Sequence, residues 1–369
     1  MMNKNKANAL YQEAFDLKQK TDLQDKKRMV DLLKKSITLD ENLIEAKMLL
    51  AHTYLYHLKR FNESIKIFRS IIDKLNKKDN LLYINCQNGL GLAHSFKGCA
   101  SDSIKDYHSS ISYLNLTYNF LKSQQNASKP YLIQCLDWLG VSYQGAGDFD
   151  LAKKTLEISL SVYNELERDR KPLKKEKIEN SKNKTLGKLD KGDNAFTKYV
   201  IGNCYDKSGN FRKTIKVLNE VKSQYEEQNN IVWLKNALCV LGGAYYKQNM
   251  YKECLQHMNA FNNHSKIETD FHTESLAKLY YMLSTIKSGE HINEKQISDF
   301  IRRCKKYLTN GTYEYYFFLF ELTSKNQFLH TSHNKVKEIL EQLETSKKNI
   351  FSKYPIPLKI IKTYNKSLD

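Results

Sequence analysis

An all-α fold, built as a right-handed superhelical solenoid of antiparallel helix pairs, is what this sequence predicts. Three observations predict it. A short pattern recurs along the chain: Leu-Gly, an aromatic three residues on, a turn, an aromatic, then a small residue. Two of the intervals between copies, Ala51 to Gly91 and Gly202 to Gly242, are 40 residues long. Finally, 369 residues contain only 4 Pro and 14 Gly, so helix formers dominate and long β-rich or disordered stretches are not expected.

The pattern is clearest at Leu139-Gly140, Tyr143, Gly147, Phe149 and Ala152. It returns at Ile201-Gly202, Tyr205, Gly209, Phe211 and Thr214, and at Leu241-Gly242, Tyr245, Asn249, Tyr251 and Cys254. Earlier copies are Leu90-Gly91, His94, Gly98, Ala100 and Ser103, and Leu50-Ala51, Tyr54, Phe61 and Ser64, the last with one extra residue at its turn. The physical cause is close approach. A small residue in a first helix admits an antiparallel second helix, whose own small residue receives it. One such pair cannot bury its apolar face, so neighbours must stack. On these residues the chain resembles the tetratricopeptide repeat family, in its longer-repeat branch, over roughly residues 30 to 265. That resemblance implies a right-handed superhelix whose first helices line a concave groove.

The opening residues, 7 to 20, place Ala7, Leu10, Tyr11, Ala14 and Phe15 on one helical face. Asp22 to Asp25 interrupts, and Met29, Leu32, Leu33 and Ile37 form a second stripe. Lys34 to Asn42 looks like the end of a repeat, with Glu41 where the family usually has Pro. Residues 1–40 therefore read as a degenerate first repeat and cap. This opening is also similar to repeat arrays of bacterial signalling proteins. Residues 41–265 hold the five repeats. The interval Gly91 to Gly140 is 49 residues, and the polar stretch Lys122 to Pro130 is expected to hold the excess. Gly140 to Gly202 is 62, which implies an insertion at about 168–192. Ten basic residues against four acids, with few large apolar ones, predict a flexible basic excursion there.

Residues 266–369 read as degenerate helical repeats and a C-terminal cap. Leu276, Leu279, Tyr280 and Leu283 share a face, as do Ile297, Phe300, Ile301, Cys304 and Leu308. Tyr313 to Leu322 is nearly all apolar and should be a central buried helix. Val336, Ile339, Leu340 and Leu343 make a further stripe. Pro355 and Pro357 precede a last segment with Leu358, Ile360, Ile361 and Tyr364.

The formal net charge is +18, and eight of the 59 basic residues are Arg. Lysine supplies charge with little of the bidentate geometry that reads bases and phosphates. Seven Cys without CxxC spacing, several at small-residue packing positions, point to neither a disulfide framework nor zinc but to a reducing cytoplasm. The N-terminus has no apolar signal core, and the apolar run Tyr315 to Phe320 is far too short to span a bilayer. Catalytic, cofactor and metal motifs are absent: Gly89-Leu90-Gly91 lies on a repeat helix, His330 and His333 lack a third ligand, and Asp148 and Asp150 suit helix entry. No enzyme and no cofactor are expected.

Function is left to surface. By the resemblance, the groove positions are the fifth and ninth of each repeat: Met48 and His52, Asn88 and Leu92, Asp137 and Val141, Tyr199 and Asn203, Cys239 and Gly243. Nearby lie Gln144, Asp206, Lys207, Tyr246 and Lys247. The partner-binding groove is expected at Asn88, Asp137, Gln144, Tyr199, Asn203, Asp206, Lys207, Tyr246 and Lys247. That lining suits a protein or peptide, acidic by the charge of its lysines, in a scaffold or sensor role. One alternative is a nucleic acid or other polyanion on the Lys-rich surface and insertion. Another is a regulatory piece of a bacterial signalling protein whose catalytic domain is elsewhere.

Overall fold

The computed structural model describes residues 2–20, 22–75, 80–170, 194–307 and 312–368. Its elements are all helical. They are α1 (Met2–Asp16), α2 (Leu23–Leu39), α3 (Ile44–Tyr56), α4 (Phe61–Ile72), α5 (Asn80–Ser101), α6 (Ile104–Ser123), α7 (Lys129–Gly145), α8 (Phe149–Arg170) and α9 (Ala195–Lys207). They continue with α10 (Phe211–Glu227), α11 (Ile231–Lys247), α12 (Tyr251–Asn262), α13 (Phe271–Lys287), α14 (Glu294–Tyr307), α15 (Tyr313–Thr323), α16 (Asn326–Gln342), α17 (Thr345–Phe351) and α18 (Pro355–Lys366). Among the described residues no helix is long and apolar enough to cross a membrane. The four glycines Gly91, Gly140, Gly202 and Gly242 all sit on first helices of pairs, as the repeat pattern requires. Of the basic insertion, Arg168, Asp169 and Arg170 end α8, and 171–193 lie outside the described residues.

Contacts divide the chain into two compact units, Met1–Ser142 and Tyr143–Asp369. The division falls inside α7, whereas the repeat signature sets its borders at 40 and 265.

In the first unit one hydrogen bond marks each helix pair. A second-helix serine hydroxyl donates to a first-helix carbonyl: Ser36 to Ala7 (2.8 Å), Ser64 to Ala51 (2.9 Å) and Ser110 to Gly91 (2.8 Å). Each serine is fully buried, so the bond satisfies a hydroxyl that would otherwise cost about 1–3 kcal/mol. The α1–α2 pair carries the mark without the glycine signature. Its core joins Ala14, Leu17, Met29 and Leu33 to Leu49, Leu50 and Tyr54 of α3. The next core joins Ala51, Leu55 and Phe68 to Cys86, Leu90 and Ala93.

The third pair corrects two expectations. Its helix-facing small residue is Ser110, and Ser103 is instead the N-cap of α6, accepting from the Asp106 amide. The sequence spacing misleads because α5 continues past Gly98, whose position would meet the Tyr107 ring, and turns only at Asp102, φ 50°. Gly91 to Ser110 spans 19 residues, where Gly202 to Thr214 and Gly242 to Cys254 span 12. Most of the excess before Gly140 is therefore a longer hairpin, and only a small part lies in the Lys122–Pro130 connection. At the extended tip His94 Nδ1 lies 2.7 Å from Asp106 Oδ1, and Lys97 Nζ lies 3.3 Å from Asp106 Oδ2. Burial lowers the affinity of His94 for a proton, so the neutral ring donates to the carboxylate.

In the second unit the turns repeat closely. The carbonyl at the tyrosine position accepts the amide five residues on: Tyr143 from Asp148 (2.9 Å), Tyr205 from Asn210 (2.8 Å) and Tyr245 from Met250 (3.0 Å). This caps each first helix and leaves a left-handed residue at Gly147 (φ 83°), Gly209 (φ 82°) or Asn249 (φ 61°). Two of those turns also receive the C-terminal helices. A side chain on Gly147 would meet Ile339 and Phe351, and one on Gly209 would meet Pro355. Phe149 packs on Phe351 and Tyr354, and Lys347 pairs with Asp148 at 2.8 Å. The helices expected from the stripes after residue 265 form, with α15 and α16 paired through Ser332 hydroxyl to Tyr313 carbonyl (2.7 Å).

Candidate functional site

The second unit assembles most of the groove residues that the sequence points to. Its first helices follow one another as α9, α11, α13 and α15. Small residues on their facing sides bring them close: Gly243 of α11 has no room for a side chain beside the Tyr280 ring of α13. The ninth position of that repeat therefore faces a neighbouring helix and not an open groove.

Across these helices lies a buried charge cluster. Lys247, ending α11, reaches Asp206 Oδ2 and Glu314 Oε1, each at 2.5 Å. Lys207, ending α9, pairs with Glu314 Oε2. The Tyr280 hydroxyl of α13 donates to Glu314 Oε1 at 3.2 Å. Glu314 is 1% exposed. Burying a lone carboxylate so deeply is prohibitive, and two ammonium groups and a phenol offset the cost. Asp206 shares Lys247, which leaves two cations against two anions.

Glu314 belongs to α15, and that helix continues along the same groove. Phe318 packs edge-on against the rings of Tyr246 (5.5 Å) and Tyr280 (5.2 Å). Tyr246 hydroxyl donates to Glu321 Oε2 at 3.2 Å, and Lys359 of α18 pairs with Glu321 Oε1 at 2.5 Å. Residues 314, 318 and 321 fall on one helical face. The groove of α9, α11 and α13 thus holds an acid-aromatic-acid stripe from the chain's own C-terminal part. Burial, then the nearby Glu321 carboxylate, pushes the Tyr246 phenol well above its usual range, so it stays a donor.

The expected site residues divide accordingly. Asp206, Lys207, Tyr246 and Lys247 come together on α15. Asn203 and Tyr199 lie half-buried one and two turns before Lys207 on α9, with Tyr199 edge-on to Trp233 at 5.5 Å. Gln144 is half-buried near the end of α7 in the same unit. Asn88 and Asp137 belong to the first unit, where both are buried on α5 and α7, and Asn88 Oδ1 accepts no hydrogen bond among the described residues. Near the cluster, burial lowers the His272 imidazole to about 4, Asp270 opposing and Lys207 reinforcing, so that ring is neutral. Among the described residues no group of His, Cys, Asp and Glu is arranged to hold a metal ion.

Sequence reasoning missed Glu314, Phe318, Glu321, Tyr280 and Lys359. A signal for the first three was present. Glu314 and Glu321 are the two acids of an otherwise apolar run, seven apart, with an aromatic between them on the same face. A buried helix with two such acids must meet cations.

No protein-family model matches the sequence, and no curated protein matches it. Solved structures do. The chain is similar to a Rap protein complexed with competence and sporulation factor, at 13% identity and a TM-score of 0.56, over 99% of this chain and 97% of that one. It is similar to aspartyl phosphate phosphatase F from Bacillus subtilis, at 13% identity and a TM-score of 0.53, over 98% and 93%. The apo form of RapI matches at 12% identity and a TM-score of 0.51, over 99% of each chain. Likeness at this identity is likeness of fold: the chain has a tetratricopeptide-like helical-repeat architecture.

Proposed function

We propose that the protein is a non-catalytic interaction module that takes a partner protein or peptide on its first-helix faces. The observation that carries this reading is the lining of α9. Tyr199, Asn203 and Lys207 are spaced four apart on one face, half-buried, and lead to a groove that already accommodates a helix. Asn203 offers a donor and an acceptor to a peptide backbone. Tyr199 offers large contact area with few rotors to freeze. One fold relative is described as complexed with competence and sporulation factor, which supports the analogy. No disulfide joins the seven cysteines and six of them are buried, in keeping with work in a reducing cytoplasm.

The test is capture of partners from native lysate, with and without nuclease. Tyr199→Ala combined with Asn203→Ala should weaken capture by about 2 kcal/mol or more, the usual scale of a hot spot, without unfolding the chain. Neutralising the lysines between 168 and 191 should do much less. The opposite ranking, or recovery of nucleic acid alone, overturns this reading and favours a polyanion on the lysine-rich surface.

A further inference from the structure

We infer that the C-terminal helices α17 and α18 form a strap that sets the spacing of α9 from α11, and so controls the partner site from a place the partner does not touch. The inference rests on the proposal that α9 takes the partner, and it adds a control on that site.

Repeat arrays are nearly one-dimensional: each repeat meets its neighbours, and a distant segment has no mechanical hold on it. The strap departs from this within the second unit. Phe351, 1% exposed, packs against Phe149 at the start of α8, with 6.1 Å between rings, and edge-on against Tyr313 at the start of α15, at 6.0 Å. Tyr354 packs on Phe149 as well, at 5.0 Å, and Lys347 pairs with Asp148 at 2.8 Å. Pro355 then covers the turn between α9 and α10, where a Cβ on Gly209 would lie 2.5 Å from its Cγ. Lys359 reaches Glu321 near the end of α15 at 2.5 Å. Gly209 and Pro355 are 146 residues apart in the sequence.

The hold is selective. Gly147, Gly209 and Gly289 are the three left-handed glycines among the described residues. A side chain on the first would meet Ile339 and Phe351, and one on the second would meet Pro355, whereas nothing lies within 4 Å of the third. The strap therefore grips the turn that opens α8 and the turn that ends α9, and leaves the turn after α13 open.

Tyr199, Asn203 and Lys207 all lie within ten residues of Gly209 on one rigid helix, so a shift of that turn moves all three together. The other end of α9 meets α11 where Tyr199 touches the Trp233 ring at 5.5 Å. A partner that finds α9 already fixed loses less freedom on binding than one that must first order it. The grip is also graded. The Phe351 hook is buried, whereas the side chains of Lys347 and Asp148 are 34% and 12% exposed, so salt weakens the ion pair and leaves the hook in place.

The experiment uses the full-length chain with Trp138→Phe as parent, which leaves Trp233 as its single tryptophan. The probe is acrylamide, a neutral quencher, and circular dichroism checks that each variant keeps its helices. Phe351→Ala should raise the Stern–Volmer constant of Trp233 at least about twofold, by letting α9 part from α11. Phe300→Ala removes another buried ring, on α14 and off the strap, and should leave the constant unchanged. Lys347→Gln should raise it by a smaller amount, and about 1 M NaCl should do the same to the parent while adding nothing to Lys347→Gln. An unchanged constant in Phe351→Ala, or an equal rise in Phe300→Ala, overturns the inference. If Phe351→Ala does not fold, Lys347→Gln decides: no rise, or a further rise with salt, overturns it. Quenching needs no partner, so this result and the capture result for the Tyr199 and Asn203 variant can each fail without the other.

Discussion

The two units treat their buried charges differently. In the first, the deepest carboxylate, Asp106, is held within one hairpin by His94, Lys97 and the Ser103 hydroxyl. Burial works against its ionisation, but those hydrogen bonds outweigh it and keep the carboxyl below the usual range. The first helices of that unit meet through rings and thioethers: Tyr56 on Phe96 at 5.9 Å, Phe96 on Trp138 at 4.3 Å, Cys86 on Met48 at 3.5 Å. In the second unit the principal carboxylate, Glu314, is held by helices from three other repeats. A charge satisfied inside one hairpin stabilises that hairpin only. A charge satisfied across repeats makes the closure of the array depend on ion pairing, and so ties stability to whatever occupies the groove.

The comparison can be broken at its strongest point first. Glu314→Ala takes a carboxylate from the buried ammonium of Lys247 and from the half-buried Lys207, and should destabilise the second unit by about 3–5 kcal/mol. Urea unfolding should become two-phased, with the thiols of Cys204 and Cys239 reacting before those of Cys86 and Cys135. Simultaneous exposure of all four would mean that the units do not differ as described. A smaller contrast lies in the glycines. An alanine at Gly89 would place its Cβ 2.4 Å from the buried Phe68 ring, which cannot retreat, and should cost about 1–3 kcal/mol. At Gly242 the obstacle is the end of the flexible Met258 side chain at 2.3 Å, so the same change should cost under about 1 kcal/mol. Unfolding midpoints in the reverse order would refute the packing account.

Acid should weaken both units alike. Burial first, then Lys18 nearby, lowers the imidazole of His52 in the first unit to about 4, and burial lowers that of His272 in the second to about 4. The folded chain keeps both neutral while the unfolded chain takes up protons near 6.5, so stability is full above about 7 and is lost as pH falls toward 4. Thiol reactivity in urea at pH 7, 6 and 5 should show both units declining, and His52→Phe should flatten the decline of the first unit only. Ser103→Ala removes an N-cap and should cost about 1 kcal/mol. Were Ser103 a packing residue of the helix pair, alanine would be tolerated without loss.

The fold was legible in the sequence because close approach of two helices demands small residues, and Gly91, Gly202 and Gly242 are unmistakable at that spacing. The α1–α2 pair was harder. Ala7 and Ser36 make the same contact, but alanine and serine are common enough to hide it. The site was half legible. Lys207, Tyr246 and Lys247 follow from repeat position, whereas their occupant lies 67 residues or more further along the chain, at Glu314. Repeat periodicity is a local signal and carries no information on which distant helix fills a groove. Only charge complementarity does, and it becomes readable once an acid is noticed inside an apolar run.

The long α5–α6 hairpin has a consequence for how such a protein changes length. Its extra seven residues divide as four before the left-handed turn residue, Asp102, and three after it, about one turn on each side. Side-chain facing is therefore nearly restored beyond the tip, and Ser110 meets Gly91 as Ser64 meets Ala51. An insertion of two or five residues would rotate one apolar stripe toward solvent. At this tip the gene can accept or lose codons in sevens, and other in-frame changes are filtered out by the geometry of a pair of turns.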